Sequence, residues 1–329
     1  MTVTRVSVLP VALAIACCVG AGAAAIQKPA GATPPASGTR APIAELWVEP
    51  VGERELLFGV GGKRLAPDPA GEYRVTEIKI GGFSDGYTLI DTSKREWSTK
   101  FPPEAATEVA LSRIHWALGY HQPPVYLLPE WNATGAKGPN PQLPARFREK
   151  QPDFHGMDSG DGWAFDNNPF LGTRPLGGLI ALQAILENMD LKASNNTIYT
   201  LTSPAEGASR WYVVRDLGYA LGRAGYNGPR GEVDAFERAP FIKEVVDGKV
   251  VFHFGGRHKK LLATVTVEDV VWICERLTRL TDRQWRDAFR AGGFEDSVGK
   301  RFANRIKSRA AEGLALRKTQ GLQPAGDAR

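Results

Sequence analysis

Hydrophobic and polar positions change their spacing several times along this 329-residue chain, and each change marks an element. From Tyr73 to Phe101 the period is two, the spacing of a strand with one buried face. Tyr73-Arg74-Val75-Thr76-Glu77-Ile78-Lys79-Ile80 alternates, Gly81 to Gly86 turns, and Tyr87 to Asp91 forms a second run. Thr92 to Glu96 turns again before Trp97 to Phe101, so the pattern predicts a three-stranded antiparallel meander. Pro102-Pro103 then opens a helix from about Glu104 to Trp116, with Val109, Leu111, Ile114, Trp116 and Leu118 as its apolar side. Pro123 and Pro124 stop it, and Val125 to Leu128 is a short strand.

Beyond Trp131 the spacing becomes mainly helical. Asn132 to Pro144 is a loop rich in Gly, Pro and Asn that reads as a junction between lobes, with Pro144 to Arg148 as one more candidate strand. An apolar run from Leu176 to Met189 predicts a long helix. Thr197 to Leu201 and Arg210 to Val214 predict a hairpin, and Val246 to Phe254 another, turned at Asp247-Gly248. Helices are expected over Val267–Leu280, over Arg283–Ala291 with Thr281-Asp282 as its cap, and over Val298–Leu314. The expected fold class is therefore α+β: a small antiparallel-sheet lobe with one helix (43–131), followed by a mainly helical lobe (132–314).

The two ends have no such pattern. Arg5 precedes an apolar run, Val6 to Val19, and Ala23-Ala24-Ala25 supplies small residues for cleavage. The run is too short for a confident membrane span and predicts a secretory signal peptide over 1–25, hence a periplasmic or secreted chain with no transmembrane span once the signal is removed. Cys17 leaves room for a lipid anchor, although Ala14 stands three residues before it in place of the usual leucine. Residues 26–42, rich in Ala, Pro, Gly, Ser and Thr, read as a flexible linker, and 315–329 as a disordered tail.

Composition adds limits more than direction. The chain is 43% hydrophobic and 23% charged, as ordinary globular proteins are. The net charge of +5 is scattered, and only Lys300 to Lys318 gathers it, which fits a solvated helix face better than a nucleic-acid site. Cys274 is the one cysteine outside the leader, so neither an internal disulfide nor a zinc site is expected, and its apolar surroundings predict a core residue. His115, His121, His155, His253 and His258 are scattered without ligand spacing. Trp163, Phe165 and Phe170 are placed either beside a nucleotide base or, preferably, in the core.

The chemistry gathers around Asn188-Met189-Asp190-Leu191-Lys192-Ala193-Ser194-Asn195-Asn196 and around Val213-Val214-Arg215-Asp216-Leu217-Gly218. Two neighbouring loops thus present an acid, an amide and a second acid, a set able to hold a hydroxyl and a divalent metal over a triphosphate.

With Lys100 on a strand and Glu108 on the following helix, this order of signals over about residues 75–220 resembles the protein-kinase-like superfamily in an atypical form. It is similar to an uncharacterised bacterial group carrying Asp-Leu-Lys-x-Ser-Asn-Asn, with the HipA, CotH and phosphoinositide-kinase-like enzymes as distant relatives. The resemblance implies a two-lobed fold, ATP, and Mg2+ or Mn2+. It places Lys100 on the nucleotide phosphates with Glu108 as its ion-pair partner, Glu104 competing one helical turn away. Asp190 would accept the acceptor hydroxyl's proton or orient that hydroxyl, Lys192 would neutralise charge on the transferred phosphoryl, and Asn195 and Asp216 would hold the metal. Gly81, Gly82 and Gly86 fall where a phosphate-covering loop belongs, but they do not match Gly-x-Gly-x-x-Gly, and a plain hairpin turn accounts for them equally well.

The chain departs from the ordinary protein-kinase pattern in three places. Asn188-Met189 stand where His-Arg usually precede the catalytic acid, Leu217 stands for Phe, and no Ala-Pro-Glu follows Asp216. The acceptor, a protein or a small molecule, is left open. One rival is a non-catalytic pseudokinase that binds a protein partner. Another is a secreted serine hydrolase, because Gly82-Phe83-Ser84-Asp85-Gly86 matches the nucleophile-elbow spacing, although strand pattern follows it where a helix is needed.

Overall fold

The structure, a computed structural model, describes residues 41–80, 83–140, 142–222 and 230–319. The expected leader, most of the expected linker, Gly82 and the end of the expected tail lie outside the described residues.

The meander is present where the alternation placed it, as β1 (Glu72–Lys79), β2 (Gly86–Asp91) and β3 (Glu96–Lys100). Asp91 builds the β2–β3 turn, its Oδ1 accepting the backbone N–H groups of Ser93 and Arg95 while Oδ2 accepts the indole N–H of Trp97. Helix α1 (Ala105–Ala117) follows, then β4 (Tyr126–Leu128), β5 (Asn132–Thr134) and β6 (Ala145–Glu149). The six strands form one sheet in the order β4-β6-β3-β2-β1-β5, with β5 parallel to β1 and the other pairs antiparallel.

This corrects the expected lobe boundary. The sheet runs past Trp131 to Glu149, because the 132–144 segment folds back on the sheet. Trp131 pins it, bridging to Gln142 and donating its indole N–H to the Leu143 carbonyl at 2.9 Å.

Alternation divides the sheet into two chemically different faces. Tyr73, Leu89, Trp97 and Phe147 are buried on one side in a small aromatic core with Trp131. Ser98, Lys100, Arg146 and Arg148 take the other side, as partners of opposite parity on β3 and β6. Helix α1 is buried almost all round, polar Thr107, Glu108, Ser112, Arg113 and His115 included, so it is a central element and not a surface helix with one apolar stripe.

The second lobe is mainly helical, as expected. Its strands are β7 (Met157–Ser159), β8 (Asn196–Ala205) and β9 (Ala208–Val214) in one sheet, and the hairpin β10 (Ile242–Val246) with β11 (Lys249–Phe252). Its helices are α2 (Arg174–Ile185), α3 (Val233–Arg238), α4 (Lys259–Leu262), α5 (Val267–Leu277), α6 (Asp282–Ala291) and α7 (Asp296–Thr319). Thr266 and Thr281 cap α5 and α6 through capping boxes with Asp269 and Gln284. The large core joins α1 to α2, α5, α6 and α7. The architecture is α+β: a six-stranded sheet with α1, followed by a mainly helical part.

Three expectations shift. Helix α2 ends at Ile185 and not at Met189, because Glu187 takes a positive φ of 53° and Asn188 turns its side chain to the following loop. Helix α7 continues through 315–319, the start of the expected tail. Its basic residues are largely engaged internally: Arg301 with Asp234 and Glu237, Lys307 with Asp282, and fully buried Arg309 with the carbonyls of Ile185, Phe236 and Ala239.

Candidate functional site

Lys100 is the last residue of β3, and α1 begins five residues later. That short link brings the first turns of α1 over the strand end. Lys100 Nζ lies 2.8 Å from Glu108 Oε2, 3.3 Å from Glu104 Oε2 and 2.7 Å from Asp216 Oδ1. Both helix carboxylates therefore reach the lysine, and Glu108 is the closer. Burial opposes the charge on Lys100, but Glu108 and Asp216 prevail and raise its pKa.

Glu108 is almost wholly buried and shared among three cations. Arg146 Nε lies 2.9 Å and Arg148 Nη1 3.6 Å from its Oε1. Burial alone would raise this carboxyl. Arg146, Lys100 and Arg148 instead hold it down to about 2. The alternation Arg146-Phe147-Arg148 sends both arginines to the face opposite buried Phe147, a signal present in the sequence but not used for the site. Glu104 differs: its pKa is raised, first by burial, against the opposing charge of Lys100 and with Asp216 and Glu108 adding to the rise.

Asp216 follows β9, and its position is fixed by the other loop. The Asn195 carbonyl accepts the backbone N–H groups of Arg215 at 3.1 Å and Asp216 at 3.2 Å. Asn195 Nδ2 donates to the Asp190 carbonyl at 3.0 Å, and Lys192 Nζ pairs with Asp190 Oδ2 at 2.9 Å. The two loops also run side by side, Met189 N–H donating to the Tyr219 carbonyl and Leu221 N–H to that of Leu186. Lys100, Glu108 and Asp216 thus form one direct cluster, Asp190, Lys192 and Asn195 a second, and the Asn195 backbone joins them. Gly218 lets the Asp216 loop approach α1, for a Cβ there would collide with that of Glu104.

Behind Asp190 lies a buried chain of polar groups that sequence reasoning missed. Asn188 Oδ1 accepts the Asp190 N–H at 3.2 Å, and Asn188 Nδ2 donates to Gln183 Oε1 at 2.9 Å. Gln183 Nε2 meets His115 Nε2 at 3.0 Å, and His115 Nδ1 meets the Leu111 carbonyl at 2.8 Å. Burial pulls the His115 pKa down to about 4, so the ring is neutral at pH 7, with Nδ1 the donor and Nε2 the acceptor. Fully buried within α1, the helix of Glu108, His115 links that helix to the Asp190 loop through α2.

The remaining candidates resolve plainly. Gly86 opens β2, where a Cβ would strike the Thr99 carbonyl, so strand packing already requires glycine there. Ser84 is followed by strand β2 rather than a helix, so no nucleophile elbow forms, and its hydroxyl donates to Glu104 Oε2 at 3.4 Å. Trp163, Phe165 and Phe170 are core residues, the first donating to the Val213 carbonyl. Cys274 is fully buried and its thiol pKa is pushed up, by burial first. Among the described residues no group of three or more His, Cys, Asp or Glu side chains could cage a metal, and no helix is long and apolar enough to cross a membrane.

No protein-family model and no curated protein matches the chain. Among solved structures it is similar in outline to three kinase structures. The Golgi casein kinase matches at 9% identity and TM-score 0.42 over 78% of this chain and 74% of that one. The same kinase with Mn/ADP bound matches at 9% and 0.40 over 78% and 75%. The Helicobacter pylori proinflammatory kinase CtkA matches at 12% and 0.35 over 74% and 98%.

Proposed function

We propose that this chain is an atypical kinase that transfers a phosphoryl group from ATP to an acceptor hydroxyl with the help of Mg2+ or Mn2+. The observation that carries the reading is the convergence of Lys100, Glu108 and Asp216 beside the loop of Asp190, Lys192 and Asn195.

The donor set fits a hard divalent cation. Asp216 offers a half-exposed carboxylate, and Asn195 offers its side-chain oxygen, since its amide nitrogen is already committed to the Asp190 carbonyl. Two protein oxygens suit Mg2+ or Mn2+, which complete their shells with water and phosphate oxygens rather than a protein cage. A metal held there would neutralise charge on the phosphates. Lys100 is kept charged and fixed by Glu108, ready to release Asp216 and hold phosphate oxygens. Asp190 would orient the acceptor hydroxyl and take its proton as the acceptor oxygen bonds to the γ-phosphorus and the bond to the β–γ bridging oxygen of ATP breaks. Lys192, paired with Asp190 and more than half exposed, would meet the transferred group.

A pseudokinase is the second reading, favoured by one observation: Asp216 pairs directly with Lys100 at 2.7 Å, an ion pair that can serve the packing alone. Paired substitutions separate the readings. Under the kinase reading Asp216→Ala loses metal-dependent ATP binding, whereas Asp190→Ala keeps binding and loses transfer. Equal behaviour of the two would contradict the assigned roles.

We infer from the Arg5–Val19 pattern that the chain is exported to the periplasm or beyond. A reporter active only outside the cytoplasm, fused after residue 30, tests this, and silence of the fusion would refute export.

A further inference from the structure

From Lys100 the open face of the sheet continues toward a wall of cations that the transfer chemistry does not use. Thr88, Ser98 and Arg148 are register partners across β2, β3 and β6, with Glu77 beside Thr88 on β1. Lys79 reaches over β2 to place Nζ 3.1 Å from Ser98 Oγ, and Arg146 donates to the Ser98 carbonyl at 2.8 Å. Arg215, hung from the Asn195 carbonyl, bears on Arg148 from the facing loop.

The carboxylates on this wall are already engaged. Glu77 accepts the Thr88 hydroxyl at 2.8 Å, and Glu108 is shared by Lys100, Arg146 and Arg148. Among the described residues, neither Lys79 nor Arg215 has a carboxylate within 4.0 Å, and the closest for Arg148 is Glu108 at 3.6 Å. Lys79, hydrogen-bonded to the Ser98 hydroxyl, thus shares one sheet face with Arg148, while Arg215 faces Arg148 from the Asp216 loop, three cations with donors to spare.

We propose that Lys79, Arg148 and Arg215, with the Ser98 hydroxyl, form a phosphate-binding subsite on the sheet wall, distinct from the Asp216–Asn195 oxygens and able to take a phosphate group of a phosphate chain. The electrostatics agree. Burial, with Lys150, Arg146 and Arg148, draws the Lys79 pKa down to about 8, and burial with Arg146 and Arg215 draws that of Arg148 to about 10. A bound anion relieves both. The subsite stands on the charge of the wall and does not require the metal reading, so it is tested without metal.

The test titrates the mature chain with tripolyphosphate, ATP and adenosine in the absence of divalent ions, for the native protein, Lys79→Gln, Arg215→Gln and Asp216→Ala. Tripolyphosphate is expected to bind, to lose about tenfold or more in each cation variant, as a charged hydrogen bond is removed, and to persist in Asp216→Ala. A parallel loss for ATP identifies a nucleotide's phosphates as the source, and a loss for tripolyphosphate alone identifies an inorganic chain. Melting temperatures establish that the variants are folded. In addition, an amine-acylating reagent at pH 8 should label Lys79, and tripolyphosphate should protect it. Unchanged affinity in both cation variants, absence of protection, or adenosine binding as tightly as ATP would overturn the subsite. Loss of metal-dependent ATP binding in Asp216→Ala with tripolyphosphate unaffected keeps the two sites separate.

Discussion

Glu108 holds Lys100 at 2.8 Å as a carboxylate that cannot easily be protonated, because Arg146 and Arg148 crowd the same group from β6. The ion pair is therefore part of the packing between helix and sheet as well as of the site. Glu108→Gln preserves shape and leaves three cations without their shared counter-charge. Breaking one partner of a buried pair costs about 3–5 kcal/mol, so urea unfolding should show a loss of that order. A loss below about 1 kcal/mol, the size of an exposed pair, would show that the cluster is effectively solvated.

The same carboxyl shapes the acid limb of stability. Its folded pKa of about 2 lies below the unfolded value of 4.5. The stabilisation is fully present above about pH 4.5 and is lost as pH falls toward 2. Glu108→Gln should flatten that window, and an unchanged slope of unfolding free energy with pH would count against the pairing.

Two histidines act at milder acidity. Burial draws both His115 and His121 down to about 4 from 6.5, with the Leu111 and Ala44 carbonyls opposing. The unfolded chain binds these protons first, so stability should fall as pH drops from about 6.5 to about 4. Urea titrations at pH 7, 6 and 5 check this. Replacing both rings by glutamine should remove most of the slope, although each costs stability at pH 7. A slope that survives both substitutions would place its origin elsewhere.

The pattern of elements was legible because it rests on local chemistry. Period-two alternation gave the meander, proline gave the ends of α1 and Thr281 the cap of α6, whereas the Thr266 cap of α5 was not read. Asp190, Asn195 and Asp216 stood out as acids and an amide on two loops after predicted elements, whereas Lys100 and Glu108 were named through the resemblance alone. Arg146 and Arg148 escaped, since their strand is separated from its neighbour β3 by 44 residues and its pairing is a tertiary fact. The lobe boundary slipped for the same reason. The chain from Asn188 through Gln183 to His115 was hidden, because a buried hydrogen bond between helices leaves no periodic trace.

That chain yields its own prediction. Asn188→Ala removes the acceptor of the Asp190 N–H and the donor to Gln183, so the Asp190 loop loses its anchor to α1. On the kinase reading, phosphoryl transfer should fall by about ten- to a hundredfold, as groups are displaced from productive geometry. Nucleotide affinity, which on the kinase reading would rest on Lys100 and Asp216, should hardly change. A proportional fall in both would mean that Asn188 supports the fold as a whole.

Cys274 provides a probe of the large core. Its thiol is buried against Gly313 of α7 and its pKa is raised, so in the folded mature chain it should resist a thiol reagent at pH 8 and react only as the protein unfolds. Rapid labelling under native conditions would show that α5 and α7 separate readily.

The most direct measurement is calorimetric titration of the mature chain, from about residue 26, with ATP, with and without Mg2+ or Mn2+, beside Asp216→Ala. The kinase reading predicts metal-dependent binding that the substitution abolishes, with a melting temperature that rises as the native site fills. Absence of metal-dependent binding in the native chain, or equal binding in the variant, would contradict it.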